Sequence, residues 1–359
     1  MEKISIVITT RNEEKFIKGC IESIVAFDTQ NLFTVEILII DGMSTDNTCA
    51  IITGLQHNNI VIIQNTMLTQ AHGFNLGVKS AKGEWVAWLG AHSIYPTNYL
   101  LDLYKSAKKS NSDYTGGIIE TVPFDSTYSA SIVQAITTHK FGVGNSGFRT
   151  GREEGTADTA SYGLFRKNIF SKIGLLDERL IRAQDFEFNS RIRKAGGKIW
   201  LNPNLIVKYT NQPNLTQFLK KQFFKEAPYN TYMWYLAPYS FVYRHAITGV
   251  FTAGIIGGIL LSPFFVFIKY IYFSVIVLYF AIAFLSAIQQ VKKYKKLLHL
   301  FTLPISFFLY HFLHGLGVLG GLLRLATGTS PVQKIKEPWD GYGSFRIKID
   351  EIIKHTVGY

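Results

Sequence analysis

The sequence predicts an α/β domain built on a mainly parallel sheet and followed by a helical membrane region. Short β-branched runs alternate with amphipathic stretches from residue 4 to residue 89, the rhythm of βα units. After residue 240 the chain instead carries nearly uncharged apolar runs of the ~20 residues needed to cross hydrocarbon. Composition agrees, since 47% of the 359 residues are hydrophobic and only 17% charged, with the excess in that second half.

Residues 4–9 form a β-branched strand signal, and residues 14–26 have amphipathic helical spacing. Residues 35–40 read as a second strand ending on Asp41-Gly42-Met43-Ser44-Thr45-Asp46. A helix over about 47–55, a strand over 60–64, a helix around 71–81 and a strand over 84–89 follow. The alternation implies a sheet covered on both faces, in which ligands bind beyond the carboxyl ends of the strands. Three polar clusters fall there: Thr9-Thr10-Arg11-Asn12-Glu13, residues 41–46, and Gly90-Ala91-His92-Ser93.

Each cluster has a local alternative. Ser44 and Asp46 either build an Asx-turn that caps the helix from Asn47 or face a ligand. Asn12 and Glu13 either open a helix or contact a nucleotide. Asp41 differs because it ends an apolar strand directly, where a carboxylate can accept from a base imide or a ribose hydroxyl. No P-loop pattern occurs, and no Gly-x-Gly-x-x-Gly follows the first strand, which argues against kinase-like and dinucleotide-binding readings.

Further on, Asp185 follows Arg182-Ala183-Gln184 and opens a stretch that stops at Gly196-Gly197. It therefore lies at a helix N-terminus, whose dipole favours an ionised carboxylate. It is either a structural cap or a carboxylate placed to act as a general base. Glu187 is the second carboxylate of the stretch. The glycine-rich run from Gly142 to Arg149, continuing through Arg152 to Asp158, is either an acceptor loop or a long connection. Asp158, ahead of a strand over 159–165, falls on the acceptor side. The basic-aromatic run 219–226 suits an interfacial helix.

Candidate membrane segments are 245–268, 270–288 and 300–323, the first two separated by Lys269 and the third interrupted by Pro304 and by Gly315, Gly317, Gly320 and Gly321. Lys292-Lys293-Tyr294-Lys295-Lys296 belongs on the cytoplasmic side by the positive-inside rule. The first pair then runs out and back. The third segment either spans, exporting the basic tail 333–359, or is a re-entrant or interfacial helix that keeps the tail inside. The resulting organisation is a catalytic domain over 1–235, membrane helices over 236–325 and a tail over 326–359. The N-terminus reads as a strand and not a signal peptide, which keeps the catalytic half cytoplasmic. Cys20 and Cys49 make no disulfide framework and fit a reducing compartment. The net charge of +12 suits anionic lipid or a phosphorylated substrate. No zinc-finger, basic-heptad or RNA-binding signature supports nucleic acid.

Taken in order, Ile6 to Glu14, Ile39-Ile40-Asp41-Gly42-Met43-Ser44-Thr45-Asp46, Asn75-Leu76-Gly77 and Ala81-Lys82-Gly83-Glu84 resemble the family 2 glycosyltransferases of GT-A fold. Ala91-His92 with Tyr95-Pro96, and Arg182-Ala183-Gln184-Asp185, resemble the succinoglycan-biosynthesis-type branch. The resemblance spans residues 4 to 225. It implies that Thr9, Arg11, Asn12, Glu13, Asp41 and Ser44 hold the uracil and ribose of a UDP-sugar, with Gly90, Ala91 and His92 beside them. It also implies Asp185 as catalytic base, an inverting outcome, and Lys221 and Gln222 near the donor diphosphate, with Gln184 and Asp158 towards the acceptor. Gly90-Ala91-His92 stands where the family carries Asp-x-Asp. A divalent cation, Mn²⁺ or Mg²⁺, is thereby in doubt, and His92 is either its ligand or a donor to phosphate. A membrane-anchored sugar transferase implies a polyprenyl-linked glycan acceptor in surface polysaccharide assembly. The alternatives are an enzyme that charges polyprenyl phosphate and an inactive scaffold.

Overall fold

The protein is described by a computed structural model for residues 1–144, 147–150 and 153–333. Its first half runs β1 (Glu2–Thr10), α1 (Ile17–Val25), β2 (Phe33–Asp41), α2 (Thr48–Gly54), β3 (Ile60–Gln64), α3 (Gln70–Ser80), β4 (Trp85–Gly90), α4 (Tyr99–Ser110) and β5 (Tyr114–Val122). Next come α5 (Tyr128–Thr137), the single turns α6 (Lys140–Val143) and α7 (Gly147–Thr150), β6 (Gly155–Thr156), β7 (Ser161–Arg166), α8 (Asn168–Ile173), α9 (Gln184–Lys194) and β8 (Ile199–Thr210). The rest is helical: α10 (Leu215–Lys221), α11 (Ala227–Leu236), α12 (Tyr243–Leu261), α13 (Val266–Tyr294) and α14 (His299–Ala326).

The strands form one sheet in the order β3-β2-β1-β4-β7-β5-β8-β6. β1 pairs in parallel with β2 and β4, and β2 with β3, as the alternation predicts. β7 is antiparallel to β4 and β5, so the second half of the sheet is mixed. That reversal brings the start of β7 to the carboxyl end of β4. Ile4, Ile6 and Ile8 of β1 point into one core with Ile17, Cys20, Ile21 and Ile24 of α1. Residues 17, 20, 21 and 24 have the spacing of one helical face, so α1 buries an apolar stripe on this side of the sheet. On the other side α3 lies against β1. A Cβ at Gly77 would collide with the Val7 side chain, its Cγ2 at 3.0 Å, and one at Gly73 would meet Thr9 Cγ2 at 3.1 Å. Gly77→Ala should therefore cost about 1–3 kcal/mol through overpacking, seen as a lowered melting temperature of detergent-solubilised protein. Gly54→Ala, with nothing within 4 Å of the added carbon, should not.

Three sequence expectations move. Helix α1 begins at Ile17, not near residue 14, and the amides of Glu13 and Glu14 ahead of it donate across to Thr48 and Asp46. The break between the first two apolar helices falls between Leu261 and Val266 and contains Pro263, while Lys269 lies inside α13. Proline lacks the amide that a continuing helix would use. The third segment is uninterrupted, with Pro304 inside α14. Its glycines allow close packing, since a Cβ at Gly317 would stand 2.6 Å from the Phe223 carbonyl oxygen.

Packing divides the described chain into two compact units. One is built from residues up to 120 with 153–208, and the other from 121–150 with 209 onward. Residues 121–150 and 209–235 thus pack with the apolar helices, whereas the sequence boundary was drawn at 235. In this second unit Ile132, Val133 and Ile136 of α5 share a core with Phe218, Ala287, Leu303 and Phe307. Helices α12, α13 and α14 are each long and apolar enough to cross a membrane.

Candidate active site

The loops after β1 and β2 are knitted together. The backbone amides of Asn12, Glu13 and Glu14 donate to Ser44 Oγ, Thr48 Oγ1 and Asp46 Oδ2 at 2.9, 2.8 and 3.2 Å. Asn12, at φ +56°, returns a bond through its Oδ1, which accepts from the Thr45 amide at 2.8 Å. Asp41 is 1% exposed, and its two carboxylate oxygens accept from the Ser44 amide at 3.0 Å and the Ser44 hydroxyl at 2.5 Å. Asp46 accepts from the Thr48 amide at 3.0 Å and so makes the Asx-turn anticipated as the local alternative. Burial acts against its charge, but the Thr48 and Glu14 donors outweigh it and hold its carboxyl below the usual value. The side chains of Asn12, Ser44 and Asp46 are thus occupied in shaping the loop. Thr9 is half-buried and Arg11 exposed at its rim.

The carboxyl end of β4 is clasped from below. The Tyr95 hydroxyl accepts from the Gly90 amide at 2.7 Å and donates to the Gly90 carbonyl at 3.2 Å. Burial pushes that phenol well above its ordinary pKa, so it stays a donor. Cys20 Sγ also reaches the Gly90 carbonyl, at 3.4 Å, and burial raises the thiol to about 12. Ala91 is buried and His92 exposed. The His92 Nδ1 lies 3.4 Å from Glu13 Oε1, which joins the first and third polar clusters.

Gly90 has a steric reason to be glycine. A Cβ there would stand 2.6 Å from Tyr162 Cε1 and 3.3 Å from the Tyr162 hydroxyl oxygen. An aspartate at the position would force that ring to shift. His92 and Glu13 are two donors, and among the described residues no group of three or more His, Cys, Asp or Glu is arranged to hold a metal. The residues present do not fit an Asp-x-Asp cation centre. Sequence reading passed over Tyr162, because only the antiparallel insertion of β7 beside β4 brings it to Gly90.

Asp185 sits in the first turn of α9, behind Ala183 at φ +62°. It is exposed, and its Oδ1 accepts from the Phe186 amide at 2.9 Å. The buried Tyr114, whose hydroxyl donates to the Ala160 carbonyl at 3.1 Å, is raised in pKa first by burial and then by the Asp185 charge. That places Asp185 at the edge where β7 begins. Gln184, 5% exposed, donates to Gln70 Oε1 at 2.9 Å and ties the start of α9 to the start of α3. Glu187 is not an alternative base. It is fully buried and holds Arg191 with two bonds of 2.9 and 2.7 Å. Asp158 is half-buried ahead of β7. Lys221 and Gln222 belong to the second unit, where Lys221 pairs with Glu226 at 3.5 Å and Gln222 opens a π-helical turn. Arg149, also there, donates to Thr121 Oγ1 at 3.2 Å. Arg152 lies outside the described residues. Asn75 clamps the segment before α9: its Nδ2 donates to the Leu176 carbonyl and its Oδ1 accepts from the Leu176 amide, both at 2.9 Å.

Six chain segments thus meet at one sheet edge, and comparison with known proteins agrees with this geometry. The family model for glycosyl transferase family 2 matches residues 5–174. A Methanococcus voltae protein is 31% identical over 342 residues, covering 90% of this chain and 98% of its own length. The chain is a family 2 glycosyltransferase. That relative is named a dolichyl N-acetyl-alpha-D-glucosaminyl phosphate 3-beta-D-2,3-diacetamido-2,3-dideoxy-beta-D-glucuronosyltransferase. The succinoglycan biosynthesis protein ExoA of Rhizobium meliloti is 28% identical over 222 residues, 61% of this chain and 66% of that protein. Among solved structures, mannosyltransferase PcManGT from Pyrobaculum calidifontis shares the fold with a TM-score of 0.55 at 11% identity, over 92% of this chain and 88% of that one. This family 2 glycosyltransferase is accordingly a nucleotide-sugar-dependent enzyme of GT-A fold, with the resemblance to the succinoglycan branch borne out.

Proposed function

We propose that this glycosyltransferase transfers a sugar from a UDP-sugar to a polyprenyl-linked glycan, with inversion at the anomeric carbon. The observation that carries the reading is Asp185, an exposed carboxylate in the first turn of α9, at the edge where the nucleotide-side loops meet. Its Oδ1 is held by the Phe186 amide, which fixes the orientation of the carboxylate. The acceptor hydroxyl attacks the anomeric carbon, Asp185 takes the hydroxyl proton, and the bond to the diphosphate breaks. One base and one displacement give inversion. The acceptor class rests on the Methanococcus voltae relative, whose name specifies a dolichyl-phosphate-linked sugar.

The catalytic unit belongs on the cytoplasmic side with the lysines at the end of α13, and α12 and α13 cross the membrane. Helix α14 differs from them. Half of its apolar window is buried within the protein, against 28% for α12 and 17% for α13.

The test supplies purified full-length protein with UDP- or GDP-sugars and three acceptors: polyprenyl phosphate, its N-acetylglucosamine phosphodiester, and the corresponding diphosphate. Extension of a glycan-bearing acceptor by one β-linked sugar, read by mass spectrometry and anomeric NMR couplings, is expected. Transfer to bare polyprenyl phosphate alone, or an α-linked product from an α-linked donor, overturns it.

A further inference from the structure

We propose that the Tyr162 phenol takes the place of the missing carboxylate at residue 90 and hydrogen-bonds the donor diphosphate directly, so that the enzyme binds its donor without a divalent cation. The inference rests on the nucleotide-sugar reading above. Its first support is position. The Tyr162 ring edge stands 2.6 Å and its hydroxyl oxygen 3.3 Å from where the Cβ of residue 90 would be, so the phenol borders the place a side chain at residue 90 would enter.

The second support is chemistry. An ionised carboxylate only accepts hydrogen bonds, so beside a diphosphate it needs a cation between the two like charges. A phenol is neutral at pH 7 and carries an O–H donor that an anionic oxygen can accept without an intermediary. Replacing carboxylate by phenol at one place therefore changes cation-mediated binding into direct binding. His92, exposed at the next-but-one residue, lies on the same edge. Its pairing with Glu13 at 3.4 Å holds the imidazole there.

The third support is strain. Tyr162 has φ +48°, a region that a bulky residue enters only at a cost of about 1–3 kcal/mol. The surroundings enforce it: the Tyr99 hydroxyl donates to the Tyr162 carbonyl at 2.8 Å, and the Tyr95 ring meets the Tyr162 ring edge-on at 6.4 Å. Such conformations persist where the surrounding structure holds them, and they cluster at ligand sites.

The experiment measures binding of UDP, GDP and uridine to full-length protein by calorimetry, with Mn²⁺, Mg²⁺ or EDTA. Wild type should bind a nucleoside diphosphate equally well in EDTA. Tyr162→Phe, which keeps the ring and its packing, should weaken diphosphate binding by about tenfold, the scale of one hydrogen bond to a charged group, and leave uridine binding unchanged. Gly90→Asp combined with Tyr162→Ala, which vacates the space, should restore UDP binding only when Mn²⁺ is present. Wild-type binding abolished by EDTA would overturn the proposal, as would a Tyr162→Phe protein that binds UDP as wild type does. Absence of binding by any nucleoside diphosphate under all conditions would instead sink the donor assignment, and the proposal with it.

Discussion

Asp185→Asn is expected to lower turnover by about a hundred- to ten-thousandfold, with nucleotide binding essentially unchanged. The amide keeps an oxygen that can accept from the Phe186 backbone, so the first turn of α9 retains its hydrogen bond. What it loses is the ability to take a proton. Asp185 is exposed and carries no part of the core, so a fold-level explanation for lost activity is weak from the outset. Single-turnover rates and UDP affinity measured on the same preparation separate the two effects. An Asp185→Asn enzyme with wild-type kcat would remove Asp185 as the base, and the half-buried Asp158 would be the carboxylate to test next.

The expectation at Asp185 also shows which parts of the site were legible in sequence. A parallel strand followed by a polar cluster announces the ligand edge, because the βα rhythm alone decides which end of the strand the loop leaves from. Residues 9–13, 41–46 and 90–92 therefore fell where the sheet puts them. Asp185 was visible because a helix start and a double-glycine stop bracket it. Tyr162 was not, since its place depends on β7 pairing antiparallel with β4 across some seventy residues of chain. No local pattern encodes that pairing. The same limit hid the bond that the Asn12 side-chain oxygen accepts from the Thr45 amide, thirty-three residues away. The break near Pro263 was, by contrast, written in the sequence, and only the greater salience of Lys269 among apolar neighbours displaced it.

Arg191→Met should be the most damaging substitution for stability, costing about 3–5 kcal/mol because it leaves the Glu187 charge buried and unpaired. Both side chains are fully buried, and the guanidinium makes two bonds to Glu187 and one of 2.9 Å to the Ile173 carbonyl. In a domain of this size each kcal/mol moves the melting temperature by roughly 2–4 °C, so a fall on the order of 10 °C is expected. The double variant Glu187→Leu with Arg191→Met removes both charges, and replacing a buried pair by apolar groups is often neutral or stabilising. Here it still strands the Ile173 carbonyl, at about 1–3 kcal/mol, so it should fall between wild type and the single variant. The arrangement matters for catalysis because the pair orients Arg191, whose bond to the Ile173 carbonyl ties α9, the helix that presents Asp185, to the chain end of α8. If the single and double variants melt alike, the loss belongs to packing around Phe188, over whose ring the guanidinium lies at 5.0 Å. If the double recovers stability but not turnover, the ion pair earns its place by aiming the carboxylate two residues away from Glu187.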